Sequence, residues 1–131
     1  MQTFLCNGVN IAFWDYAPTG ADINRPILLI HGFGSNHAVN WLNTLWIKTL
    51  THAGRRVIAF DNRGHGKSGK PYEPELYSAH IMAEDADALL DHLGIKCADV
   101  MGYSMGARIT AYLALAHPER VRSAILGGLG H

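Results

Sequence analysis

Apolar and polar positions along this chain follow two periods, and the changes between them divide it into short elements. Gln2 to Leu5 and the β-branched, aromatic run Val9 to Trp14 read as strands joined by a turn at Asn7-Gly8, so the chain opens as a hairpin. Tyr16 to Pro26, broken by two prolines and a glycine, reads as a surface loop. It leads into Ile27-Leu28-Leu29-Ile30, a continuous apolar run of the kind buried on both faces of a parallel sheet. A glycine-containing loop, His31 to Ser35, caps that run, and Trp41, Leu42, Leu45 and Ile47 to Leu50 predict a helix ending near Gly54. Arg56 to Phe60 then reads as a strand and Asp61 to Gly69 as a polar, glycine-rich loop.

From Ser78 to Leu93 the positions Met82, Ala86, Leu89, Leu90 and Leu93 recur at helical spacing, with Glu84, Asp85, Asp87 and Asp91 mostly on the other face and Gly94 as the stop. Ala98 to Met101 reads as a strand, and a helix follows from about Met105 to Ala116. Its stripe Ala107, Thr110, Ala111, Ala114 and Leu115 is small enough to lie close against a sheet. His117-Pro118 ends it, and Val121 to Leu126 is the last predicted strand. Repeated β-α-β units with short connections require an α/β fold: a mostly parallel sheet of about six strands, helices on its faces and an antiparallel N-terminal hairpin.

Composition narrows the function classes. The 131 residues, 48% hydrophobic and 17% charged, suffice for one core but not for two ordinary domains. Eleven basic residues balance eleven acidic ones, so no basic field points to a nucleic acid partner. No stretch approaches the length of a membrane span, and there is no N-x-S/T sequon. Cys6 and Cys97 fall outside any C-x-x-C pattern, so reduced thiols and a cytoplasmic location are expected. The eight histidines are scattered without a His-x-x-x-His pair, so no metal is expected.

The chemistry gathers at three loops. Gly102-Tyr103-Ser104-Met105-Gly106 lies between a predicted strand and a predicted helix, the setting in which G-x-S-x-G forms a nucleophile elbow. Ser104 is the candidate nucleophile. Gly102 and Gly106 remove Cβ atoms that would collide in such a turn, and the Met105 amide at the helix start is one candidate oxyanion donor. A second donor is expected from the loop after the third strand, where the Phe33 N–H lies between Gly32 and Gly34. His31 is read as holding that loop rather than as a base. Gly66-Lys67-Ser68 matches the end of a phosphate-binding loop, but Asp61 stands where that pattern needs glycine, and Gly69, Lys70 and Pro71 break the helix it requires. Asp61, Arg63 and His65 are instead expected to satisfy backbone groups and one another within a tight loop. Trp14, Trp41 and Trp46 are read as packing residues, with Trp41 near enough to the oxyanion loop to reach a pocket.

His31-Gly32-Phe33-Gly34, Asp61-x-Arg63-Gly64-His65-Gly66-x-Ser68 and Gly102-Tyr103-Ser104-Met105-Gly106, in this order, resemble the α/β-hydrolase superfamily, especially its serine esterase, lactonase and perhydrolase-like branch. The resemblance implies a cofactor-independent hydrolase of esters, lactones or related acyl compounds, with Ser104 as nucleophile and Phe33 and Met105 giving the oxyanion amides. It covers the N-terminal portion of the family's domain, up to what looks like the sixth of about eight strands. In that family the acid follows the sixth or seventh strand and the base follows the last. Here Leu126 is followed by Gly127-Gly128-Leu129-Gly130-His131, without a carboxylate; His131 follows a glycine, as family bases often do, but no acid precedes it.

The expectation is that residues 1–131 form the N-terminal portion of one domain, with the C-terminal strands, any cap, and the triad acid and base outside the chain. Little turnover is then expected from these residues alone. The competing expectation is a non-catalytic module that pairs with itself or another chain through an open edge near Ser123, Ala124, Ile125 and Leu126.

Overall fold

A computed structural model describes residues 1–129. Strands β1 (Gln2–Cys6) and β2 (Val9–Tyr16) form the hairpin, with Cys6 opposite Val9. Asn7 and Gly8 both have positive φ, 48° and 81°, as a two-residue turn matching the twist of its strands requires. Strands β3 (Ile27–Ile30), β4 (Val57–Phe60), β5 (Ala98–Tyr103) and β6 (Val121–Gly127) complete one six-stranded sheet in the order β1-β2-β4-β3-β5-β6. β2 joins β4 antiparallel, and the pairs β3/β4, β3/β5 and β5/β6 are parallel. The expected α/β architecture is therefore present.

Alternation along β3 and β4 splits the core between the two sheet faces. Leu28, Ile30, Ile58 and Phe60 pack with Met82, Leu89 and Leu90 of α2 (Ala79–His92) and with Ile109 and Leu113 of α3 (Met105–Ala116). Ile27, Leu29, Val57 and Ala59 face the other way, onto Trp41 and onto Ile47 of α1 (Trp46–His52). Ser78 caps α2 by accepting the Ile81 N–H at 3.1 Å, and Gly94, at φ 68°, follows its end.

Three expectations change. Leu115, placed in the sheet-facing stripe of its helix, is 81% exposed, and Ile109 and Leu113 are buried there with Ala107 and Thr110. The helix predicted across Trp41 to Gly54 is divided into a single π turn, Ala38–Leu42, and α1, because Leu45 takes a left-handed conformation with φ 70°. Asp85, placed on the polar face of its helix, is instead 1% exposed. Its carboxylate accepts two 2.7 Å hydrogen bonds from the equally buried Arg63 guanidinium. The spacing Met82, Asp85, Ala86, Leu89 does place Asp85 within the apolar stripe.

Among the described residues no helix is long and apolar enough to cross a membrane. Both cysteines are free thiols, Cys6 buried and Cys97 partly so. Burial, with the Asp85 carboxylate close by, pushes the Cys6 thiol up to about 11, so it stays protonated and unreactive at neutral pH.

Candidate active site

The loops leaving the carboxyl ends of β3 and β5 emerge side by side because the strands are neighbours, with Ile30 opposite Gly102. At the end of β5 the chain turns sharply into α3 at Ser104, whose φ of 56° and ψ of −116° lie in a region that non-glycine residues rarely adopt. The Ser104 amide donates to the Gly127 carbonyl at 2.8 Å, and its carbonyl accepts from the Ala107 amide at 2.9 Å. The backbone is thus fixed on both sides while Oγ has no hydrogen-bond partner among the described residues.

The glycines flanking this turn act by close approach. A Cβ on Gly102 would overlap the Gly106 carbonyl, and one on Gly106 would overlap the Ile30 carbonyl. Gly32 faces the elbow, where an added Cβ would lie 3.2 Å from the Tyr103 carbonyl oxygen and 3.3 Å from the Ser104 Cβ. Gly34 has open space around it and is required instead for its φ of 70°.

The loop after β3 is held by three of its amides. Gly32 N–H donates to Asn40 Oδ1 at 2.8 Å, Gly34 N–H to His65 Nε2 at 3.0 Å, and Ser35 N–H to the Gly32 carbonyl at 3.2 Å. The Phe33 amide between them, like that of Met105, has no acceptor among the described residues. Phe33, Ser104 and Met105 line one cleft of about 810 Å³, with Tyr77, Met82 and Arg108 among its other walls.

His31 is fully buried and has both ring nitrogens engaged. Nδ1–H donates to the Gly32 carbonyl at 2.7 Å, while Nε2 accepts the Asn62 amide at 2.9 Å. Burial pushes its pKa down to about 4, so the ring is neutral and serves as a staple between the loops after β3 and β4. His65 reaches beyond its own loop: Nδ1 donates to the Arg63 carbonyl, leaving Nε2 to accept from Gly34.

Asp61 accepts the amides of His37 and Lys67, each at 2.8 Å. Burial alone would raise this carboxyl, but those bonds and the His37 ring outweigh it and hold the group below its ordinary value. Arg63 departs from the loop-internal reading, since it turns away to Asp85. No helix starts at Ser68, the next element being a 3₁₀ turn at Pro74–Tyr77; the Ser68 hydroxyl donates to the Asp61 carbonyl and accepts the Ala12 amide. Trp41 is buried and lines a separate groove with Trp46, Met101 and Ile125.

Asn40 carries no motif, and its part in holding the oxyanion loop is visible only in three dimensions. His131 lies outside the described residues. Among those described, no histidine or carboxylate lines the cleft at Ser104. His117, Glu84 and Asp87 form one cluster elsewhere with metal-compatible spacing, but His117 is bonded to Glu84 and Asp87 already takes the Arg120 guanidinium.

The sequence pattern of the alpha/beta hydrolase fold family matches residues 25–129. The chain belongs to that family. The chain is 38% identical over 103 residues to 2-hydroxymuconate semialdehyde hydrolase of Pseudomonas sp. strain CF600, which covers 79% of this chain and 36% of the relative. The structure of a probable hydrolytic enzyme from Pseudomonas aeruginosa PAO1 superposes with a TM-score of 0.82 at 36% identity, over 94% of this chain and 38% of the other. That of epoxide hydrolase A from Mycobacterium thermoresistibile gives 0.81 at 31% identity, over 94% and 37%. These relatives are hydrolases, and this α/β-hydrolase chain spans little more than a third of their length.

Proposed function

We propose that this chain contributes the nucleophile and the oxyanion hole of a serine hydrolase acting on esters, lactones or related acyl compounds. The observation that carries the reading is the strained backbone at Ser104, which presents an unpartnered hydroxyl to a cleft shared with the unengaged amides of Phe33 and Met105. Residue 104 is serine, so attack on an acyl carbon forms a covalent ester through Oγ. The carbonyl π electrons move onto oxygen, and the two amides and the N-terminal end of α3 stabilise that negative charge. The leaving alcohol departs with a proton, and water then cleaves the acyl-enzyme.

The serine proton needs a base, and none of the described residues supplies one at Oγ. His31 and His65 are committed to loop contacts. In this reading the acid and base come from sequence beyond residues 1–131. The isolated chain is then limited to what the oxyanion hole and binding give, about 10³ to 10⁴ over water. Serine-directed fluorophosphonate labelling of the full-length gene product, with Ser104→Ala as control, tests the assignment. Labelling lost in Ser104→Ala supports it, and labelling that survives refutes it.

A second reading rests on β6, which lies at the sheet edge with Ile125 and Leu126 exposed. In that reading the chain pairs through this edge with another polypeptide and has no chemistry of its own.

A further inference from the structure

Arg108 stands apart from most arginines of the chain. Arg25, Arg55, Arg56, Arg63 and Arg120 each lie against an aspartate, whereas Arg108 has no carboxylate partner among the described residues. Arg122 shares that condition but sits on the exposed edge strand. Arg108 is in the first turns of α3, where a positive charge opposes the helix dipole, and α3 contains no acidic residue to offset it. Its amide bonds back to the Ser104 carbonyl at 3.3 Å, so the side chain rises one turn, about 5.4 Å, beyond the serine. Side chains on a helix lean toward its N-terminus, and here that direction leads into the cleft holding Ser104. The other walls, Phe33, Tyr77, Met82 and Met105, carry no charge.

We propose that Arg108 binds a carboxylate carried by the acyl part of the substrate, a few carbons from the scissile carbonyl. This rests on the serine hydrolase reading above. The guanidinium has five donors in a planar fork suited to a carboxylate; Arg108 is exposed, and no other wall of the cleft carries a charge that would compete for it. The preferred substrates are then half-esters of dicarboxylic acids, or lactones that carry a free carboxylate, rather than neutral esters of the same length.

The test compares hydrolysis of mono-p-nitrophenyl glutarate with its neutral methyl ester by the full-length gene product. The wild type is expected to favour the anionic ester by about tenfold or more in kcat/KM, mainly through KM, with the ratio shrinking as salt is added. Arg108→Gln should bring the ratio to about one, and Arg108→Lys should retain part of it. A wild-type ratio near one, or a ratio unchanged in Arg108→Gln, overturns the proposal.

Glutarate itself, titrated against tryptophan fluorescence, gives a readout independent of turnover. Saturable binding lost in Arg108→Gln supports the proposal, and its absence in the wild type overturns it. Undiminished ester hydrolysis by Ser104→Ala instead strikes the serine hydrolase reading, and Arg108 is then decided by the glutarate titration alone.

Discussion

At the scale of single residues, the site depends on where a Cβ is forbidden and where a proton is refused. Gly106 and Gly34 make a contrast. Ala at 106 would drive a methyl group into the Ile30 carbonyl, at the contact that seats α3 against β3. Ala at 34 meets no atom and suffers only from φ 70°. Gly34→Ala is therefore expected to cost about 1–2 kcal/mol, and Gly106→Ala more than that while also abolishing fluorophosphonate labelling; urea unfolding with parallel labelling checks both.

His31 supplies a pH dependence with a definite sign. Its folded pKa of about 4 lies below the ordinary 6.5, so the unfolded chain takes up the proton first as pH falls. Its contribution is complete above pH 6.5 and is lost toward pH 4, amounting to on the order of 3 kcal/mol. Urea midpoints measured between pH 7 and 4 should fall for the wild type and stay flatter for His31→Asn, which starts lower. Asp61, with its pKa depressed, keeps its contribution through this window and loses it only at more acid pH.

At the scale of elements, the buried Arg63–Asp85 pair joins the loop after β4 to α2, with a third bond from Arg63 to the Leu76 carbonyl. Removing one partner leaves the other charged and dry, so Asp85→Asn is expected to destabilise by about 3–5 kcal/mol. Equilibrium unfolding of the variant measures it, and a loss below about 1 kcal/mol would show that the pair is dispensable. The same pair marks where sequence reading stops short. Continuous apolar runs disclosed β3 and β4, and glycine spacing disclosed the loops carrying Ser104, Phe33 and Met105, because both signals are local.

The partner of Arg63, the acceptor of the Gly32 amide on Asn40 and the reach of His65 to Gly34 are set by how distant loops meet. No local pattern encodes them. The break before α1 escaped for a related reason: Leu45 adopts a left-handed conformation in a stretch without glycine or proline, where tertiary packing of Trp41 and Ile47 overrides propensity.

At the scale of the whole molecule, the sheet has unequal edges. β1 packs its central Phe4 against Phe13 and His92, whereas β6, which pairs only with β5, leaves Ala124, Ile125 and Leu126 exposed. An apolar strand with a free row of N–H and C=O groups is a template for another strand. The 131-residue chain on its own is therefore expected to self-associate as concentration rises, through β6. A lysine in place of Ile125 puts a charge where a paired strand would have to bury it, and should shift sedimentation toward monomer while leaving unfolding nearly unchanged, since Ile125 is 48% exposed. Lysine in place of Leu5, also apolar and 67% exposed on β1, is the control and should leave self-association intact. Equal relief by both substitutions would mean that general surface hydrophobicity, rather than the β6 edge, drives association.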